Sequence, residues 1–283
     1  MRSPPKIFDR SLYARRRLRG RGTDFLVAEA AFRIAERLGP VNRKFSAALD
    51  ISSRHAALET LSPAARRWTR IQLSGPEADI VADEEALPFG NASFDLIVSV
   101  LSLHAVNDLP GALIQIRRAL KSDGLFMAAL FGGETLHELR AAFTAGEAQT
   151  QGGASLRVAP FSDVRDLGAL LQRAGFAMPV ADVERTTVHY RDFSALLADL
   201  RALGETNSLS QRSRKFLRRD VLGAALTEYA DAHTENGRLR ATFDIIYLAG
   251  WAPPESSQKP LATRSESARS GDARRNRQFP RTR

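Results

Sequence analysis

The run FDLIVSVL at residues 94–101 decides how this sequence folds. Only Asp95 and Ser99 interrupt its apolar character, as expected of a β-strand covered on both faces. A second run of the same kind, GLFMAALF at residues 124–131, follows it. Between them Asp108 is placed to cap a helix through Leu120, with Pro110 near its start and Gly124 beyond its end.

The alternation continues outward in both directions. Upstream, Thr23 caps a predicted helix over residues 24–38, with Leu26, Ala30, Ala31, Ile34 and Leu38 on one stripe and Gly39-Pro40 ending it. FSAALDI at residues 45–51 reads as a short buried strand, then a helical stretch over 54–61 and strands near 69–73 and 78–82. Downstream come helices at about 134–144 and 162–174, separated by a Gly152-Gly153 loop. Strand patterns at 180–190 and 241–251 flank helices near 192–203 and 212–232, natural candidates for a lid or substrate wall. The βαβα order predicts an α/β fold with a parallel, doubly wound sheet.

Composition narrows the chemistry. With 283 residues, 43% apolar and 26% charged, the chain has the make-up of a globular protein, and no stretch reaches the roughly 20 apolar residues of a transmembrane helix. There is no cysteine, so disulfides, thiolate nucleophiles and cysteine-held metals are excluded. The net charge is 41 − 32 = +9, but it is concentrated at the ends: 8 − 1 = +7 in residues 1–22 and 8 − 3 = +5 in residues 255–283, leaving 25 − 28 = −3 for the body. The chain therefore divides into a basic N-terminal arm (1–22), a body (23–254, with a helical insertion over about 192–235) and a disordered basic tail (255–283). The arms read first as solvated tails, and otherwise as contacts for anionic surfaces. Arg15, Arg16, Arg17 and Arg19 lack interleaved aromatic residues beyond Tyr13, so no sequence-specific nucleic-acid reader is expected.

In open α/β sheets ligands bind beyond the carboxyl ends of the strands. Four such segments, Ala48-Leu49-Asp50-Ile51, the run ADEEALPF at 82–89, Ser99-Val100-Leu101-Ser102-Leu103-His104, and Leu120-Lys121-Ser122-Asp123-Gly124, resemble the class I S-adenosylmethionine-dependent methyltransferases. That resemblance implies a Rossmann-like, seven-stranded sheet whose last strand is antiparallel, carrying a helical cap insertion. IFDR at residues 7–10, LSLHAVNDLP at 101–110, FGGETL at 131–136 and Gly250-Trp251 resemble one branch more narrowly. It is the methyltransferase-like assembly factors of respiratory complex I, arginine hydroxylases of a complex I subunit, with their bacterial relatives. The malonyl-carrier-protein methyltransferases of biotin synthesis are more distant. The early position of IFDR favours a bacterial cytoplasmic protein, with an inner-membrane periphery as an option, or the mitochondrial matrix in a eukaryote.

The resemblance assigns S-adenosylmethionine as cofactor, with Asp50, Ser52, Ser53, Asp83, Glu84 and Leu101 as its binding residues and Asp83 in the adenine loop. The pattern departs from the family at the first turn, where no glycine stands anywhere from Ile51 to Ser74. Glycines serve there because backbone must approach the ligand closely. The ribose acid at the end of the second strand is missing too, leaving Glu77 and Asp79 as substitutes, and the link from that strand to Ala78 is too short for a crossover helix.

His104 is the candidate catalytic residue, a general base at the strand rim, against a histidine simply packed under the lid. No metal is assigned; an iron triad drawn from His104, Asp108, His137 and Glu138 is the weakest alternative. Gly132, Gly133 and Glu134 are read either as a close approach to ligand or as a turn. Three functions compete: a methyltransferase, a complex I assembly factor modifying an arginine of a protein partner, and a scaffold that kept the fold while losing its cofactor.

Overall fold

A computed structural model of the protein describes residues 6–20, 25–52, 57, 60–76 and 78–254. The expected Thr23 cap, Ser53 with its neighbours Arg54 and His55, Glu77 and the tail 255–283 lie outside the described residues. The strands are β1 (Ala48–Asp50), β2 (Trp68–Gln72), β3 (Ile80–Val81), β4 (Phe94–Val100), β5 (Leu120–Phe131), β6 (Ala177–Tyr190), β7 (Thr234–Glu235) and β8 (Arg238–Trp251). They form one sheet in the order β3-β2-β1-β4-β5-β8-β6, with β7 paired to β8 off this path. Strands β1 to β5 pair in parallel, while β8 runs antiparallel to both β5 and β6. The expected sheet with an antiparallel last strand is therefore present, and β7 adds a two-residue eighth strand.

Every residue of β4 is buried. Leu96, Val98 and Val100 pack into a core with helices α2 (Phe25–Leu38), α4 (His137–Gln151), α6 (Phe193–Ala202) and α7 (Arg219–His233). Ile97 points into a second core with α3 (Leu109–Ala119) and α5 (Val164–Arg173). That two-sided cover is why the strand's sequence lacks the polar alternation of a half-exposed sheet. Asp108 caps α3, its Oδ1 accepting from Gly111 N at 2.9 Å, and Asp192 caps α6.

Among its described residues the link between β2 and β3 contains no helix, as its length requires. Ile71 registers with Ile80 and Gln72 with Val81, and Asp79 braces the return by accepting from Arg70 N and its guanidinium, each at 2.8 Å. Helices α6 and α7 connect β6 to β8, and α7 lies tight on α4. A Cβ on Gly146 would stand 2.6 Å from the Ala225 backbone nitrogen, so that crossing admits only glycine.

The N-terminal segment corrects the reading of a solvated arm. Residues 10–19 form α1 (Arg10–Arg19), capped by Asp9, whose Oδ1 accepts from Leu12 N at 3.0 Å. Phe8 and Tyr13 are buried, and Asp9 N donates to Ser208 O at 2.9 Å while Ser210 N donates to Ile7 O at 2.8 Å. A count of charges could not show this, because two aromatic anchors and the helical facing of particular arginines decide it. No helix among the described residues is long and apolar enough to cross a membrane.

Candidate functional site

The carboxyl ends of β1 and β4 and the 83–85 loop converge on α1. Asp50 ends β1 buried, its Oδ1 accepting from both the backbone N (2.8 Å) and the hydroxyl of Ser52. Ser52 Oγ in turn accepts from Val100 N at 3.2 Å, which ties β1 to β4. A short hydroxyl side chain is thus folded back on the strand acid at the start of the stretch where a glycine was expected. Leu101 leaves β4 in the left-handed region, with φ 48°, fully buried, its N donating to Ala129 O at 2.9 Å. Such strain in a non-glycine residue gathers at functional sites. Leu101 therefore turns the chain with its backbone while its side chain belongs to the core.

Asp83 is one-third exposed, and its Oδ1 accepts from Arg10 Nη2 at 2.9 Å and Glu85 N at 3.0 Å. Its Oδ2 carries no hydrogen bond among the described residues. Glu84 is only 2% exposed and engaged by protein, one oxygen by Arg10 and the other by the hydroxyl of Ser102. It ties down α1 instead of facing a ligand. Arg10 also donates to Ala105 O at 2.9 Å and lies 3.9 Å from Glu85, so one guanidinium gathers three carboxylates. Burial by itself would lower the affinity of Arg10 for its proton, but Glu84 and Asp83 outweigh it and hold its pKa above the ordinary value.

Arg17, two turns on, donates to Ser52 O at 2.8 Å and Ser102 Oγ at 3.2 Å, with Tyr13 Oη at 3.4 Å. Desolvation is the largest influence on its guanidinium and opposes the charge, while Tyr13, Glu205 and Glu84 more than offset it.

His104 follows β4, its side chain 3% exposed, with Nε2 3.1 Å from Glu205 Oε2. A carboxylate only accepts, so Nε2 carries the proton of the neutral ring and Nδ1 is left as the acceptor. Nδ1 is buried with no partner among the described residues. Tyr13 Oη donates to Glu205 Oε1 at 3.1 Å, which fixes the carboxylate from the other side. His104 and Glu205 border a cavity of about 180 Å³ whose walls include Phe131, Leu139, Phe143, Phe161 and Phe243. The arrangement puts an imidazole nitrogen without a partner among the described residues at the edge of an aromatic-walled space.

The structure disperses the imagined iron triad. Asp108 is a helix cap, His137 lies against Glu134 O, and Glu138 is buried on Thr242. Among the described residues no group of three His, Asp or Glu side chains is placed to hold a metal. Asp79 is occupied by Arg70 instead of standing as a ribose acid. Gly132 and Gly133 make a turn: Gly132 N donates to Asp244 O at 2.7 Å, and a Cβ on Gly132 would meet Ile246 at 2.9 Å.

Sequence reasoning missed Arg10, Tyr13, Ser102 and Glu205, and read Arg17 only as surface charge. A signal existed for three of them: Arg10, Tyr13 and Arg17, spaced i, i+3 and i+7, share one helix face. Glu205 sits in the loop after α6 and carries no local signature.

The donor set fits S-adenosylmethionine. A strand acid ends β1, Asp83 keeps an open oxygen in the 83–85 loop, and the Arg17 guanidinium and the His104 ring both lie near Tyr13, 5.5 Å and 6.4 Å from its ring centre.

Residues 38–128 match the family described as methyltransferase domain. The arginine-hydroxylase NDUFAF5 of Danio rerio is 37% identical over 274 residues, covering 90% of this chain and 85% of the relative. A malonyl-[acyl-carrier protein] O-methyltransferase of Gallionella capsiferriformans is 32% identical over 69% of this chain and 65% of its own. Among solved structures, the YcgJ protein of Bacillus subtilis superposes with a TM-score of 0.54 at 16% identity, covering 80% of this chain and 98% of the other.

Proposed function

Because this chain belongs to the NDUFAF5 arginine-hydroxylase family within the class I methyltransferase superfamily, we propose that it binds S-adenosylmethionine and modifies an arginine of a protein partner, a complex I subunit. The observation that carries this reading is the Glu205–His104 pair at the end of an aromatic-walled cavity beside the carboxyl end of β4. A guanidinium on an aliphatic stem suits such a space, since aromatic faces take the cation and stem while a carboxylate accepts its N–H groups.

When bound, the cofactor supplies a methyl group on a sulfonium. Asp83, through Oδ2, would take the adenine amino group, and Asp50 and Ser52 would hold the turn beside the methionine part. Glu205 fixes the His104 tautomer and orientation, leaving Nδ1 to accept a proton from the entering group. The apolar walls exclude water from that transfer. A reading without cofactor, as an assembly scaffold, is favoured by one observation, the absence of glycine in the first turn.

Calorimetric titration with S-adenosylmethionine and S-adenosylhomocysteine decides between them. Micromolar binding is expected, weakened at least tenfold, about 1.4 kcal/mol, in Asp83→Ala. No binding at millimolar cofactor establishes the scaffold, and unchanged affinity in Asp83→Ala rejects the adenine-loop assignment. Glu205→Gln is expected to cut arginine modification of the purified subunit at least about thirtyfold, roughly 2 kcal/mol, with cofactor affinity retained; mass spectrometry of the subunit checks it. A place in the bacterial cytoplasm, or the matrix in a eukaryote, goes with this function. The exposed stretch Arg214-Lys215-Phe216 supports a peripheral contact with the anionic inner membrane.

A further inference from the structure

The guanidinium of Arg17, a half-buried residue, lies at the ends of β1 and β4 with an incomplete set of partners. It donates to a backbone carbonyl, Ser52 O, and to two hydroxyls, Ser102 Oγ and Tyr13 Oη. Among the described residues no carboxylate lies within the 4.0 Å of an ion pair. Arg10, on the same face of α1, contrasts with it by holding Asp83, Glu84 and Glu85. Neutral acceptors recover only part of the hydration that a partly buried cation loses, so Arg17 keeps capacity for an anion.

We infer that Arg17 is the residue that takes the carboxylate of the cofactor's methionine part, a task left open by the glycine-free turn after β1. This rests on the proposed binding of S-adenosylmethionine. Three observations converge. Arg17 bonds the carbonyl of Ser52, the residue whose hydroxyl and N–H close the turn on Asp50, so its charge stands where backbone amides of a glycine-rich turn would otherwise meet the ligand. The surroundings are acidic, with Glu84 and Glu205 near enough to act on Arg17 through space. A phosphate dianion would be repelled there more strongly than a single carboxylate, because Glu84 and Glu205 are already engaged by protein donors and offer it no cation. Finally, Tyr13 bonds both Arg17 and Glu205, so the cation is held in register with the His104 side of the site. The first helix is thus part of the cofactor site, and Arg17 binds by charge where the family binds by backbone.

The test compares S-adenosylhomocysteine with its carboxamide, which differ only in the charge and donors of that one group, on the full chain and on Arg17→Gln. The wild type is expected to bind the carboxamide at least tenfold more weakly. In Arg17→Gln the two ligands are expected to bind within about twofold of each other, at the affinity of the wild type for the carboxamide. A wild type that binds both equally, or an Arg17→Gln that weakens both to the same degree, overturns the inference and leaves cofactor binding standing. If Arg17→Gln does not fold, the wild-type ratio decides alone, and Arg17→Lys, which keeps the charge, must retain part of the preference. A wild type that binds neither ligand overturns the cofactor reading itself, and the inference with it.

Discussion

Asp95 and Glu84 are both buried carboxylates, 8% and 2% exposed, at opposite ends of the central strands. Asp95, at the start of β4, is satisfied close by. Its Oδ2 accepts from Ser46 N at 3.1 Å, Ala47 N at 3.0 Å and the Ser46 hydroxyl, and its Oδ1 from Lys121 Nζ at 3.0 Å. Those donors come from the neighbouring strand ends, which the sheet brings together whatever the rest of the chain does. Glu84 receives its cation from Arg10, on a helix outside the sheet. An acid that holds the scaffold is matched by the scaffold, while an acid at the site is matched by a separable element. Assembly of the site is therefore coupled to docking of α1.

Three perturbations break or sharpen that contrast. Arg10→Met leaves Glu84 buried without its cation, and breaking such a pair costs about 3 kcal/mol. Urea denaturation should show that loss together with weakened cofactor binding; a small loss with unchanged binding would mean that α1 is dispensable. The Asp95 network should respond to acid instead. Burial alone would raise the Asp95 carboxyl, but Ser46, Lys121 and the Ala47 N–H outweigh it and hold it at about 2, against an ordinary 3.8. The folded form then binds this proton more weakly than the unfolded chain. Its stabilisation is complete above the ordinary value and is lost as pH falls from near 4 towards 2. The amplitude is about 2 kcal/mol, and a pH series of denaturation midpoints should lose it in Asp95→Asn without change in cofactor affinity.

The smallest effect is expected where neither kind of acid is involved. Arg37 on α2 bonds Glu184 at 2.8 Å and lies 4.0 Å from the ring centre of Tyr247, a half-exposed clasp over β6 and β8. Arg37→Ala should cost about 1 kcal/mol or less, with cofactor affinity intact by calorimetry. A loss as large as that of Arg10→Met would show that the pairing of Glu84 with α1 is no more costly to break than an ordinary surface clasp.

Legibility followed the range of the interactions. The strand at residues 94–101, the Asp108 cap and the missing crossover helix were readable because burial on two faces, capping and chain length act over a few residues. The departure at the first turn was visible as a missing glycine. What stands beside it was not, since that depends on Ser52 folding onto Asp50 and on Arg17 arriving from 35 positions earlier. The arm was misread because its charge was counted and its facing was not. Glu205 was invisible, 101 positions from His104 and in a loop without pattern.

By itself, then, the sequence determined the α/β class, the order of its elements and the loops that carry Asp50, Asp83 and His104. Periodicity and turn chemistry are local properties. Only the tertiary structure decided that the basic N-terminus is a helix inside the site, that Glu84 holds that helix, and that Glu205 orients His104. Each of these joins groups far apart in the chain, and the free energy that selects them comes from enclosing charge, which exists only once the chain has closed around it.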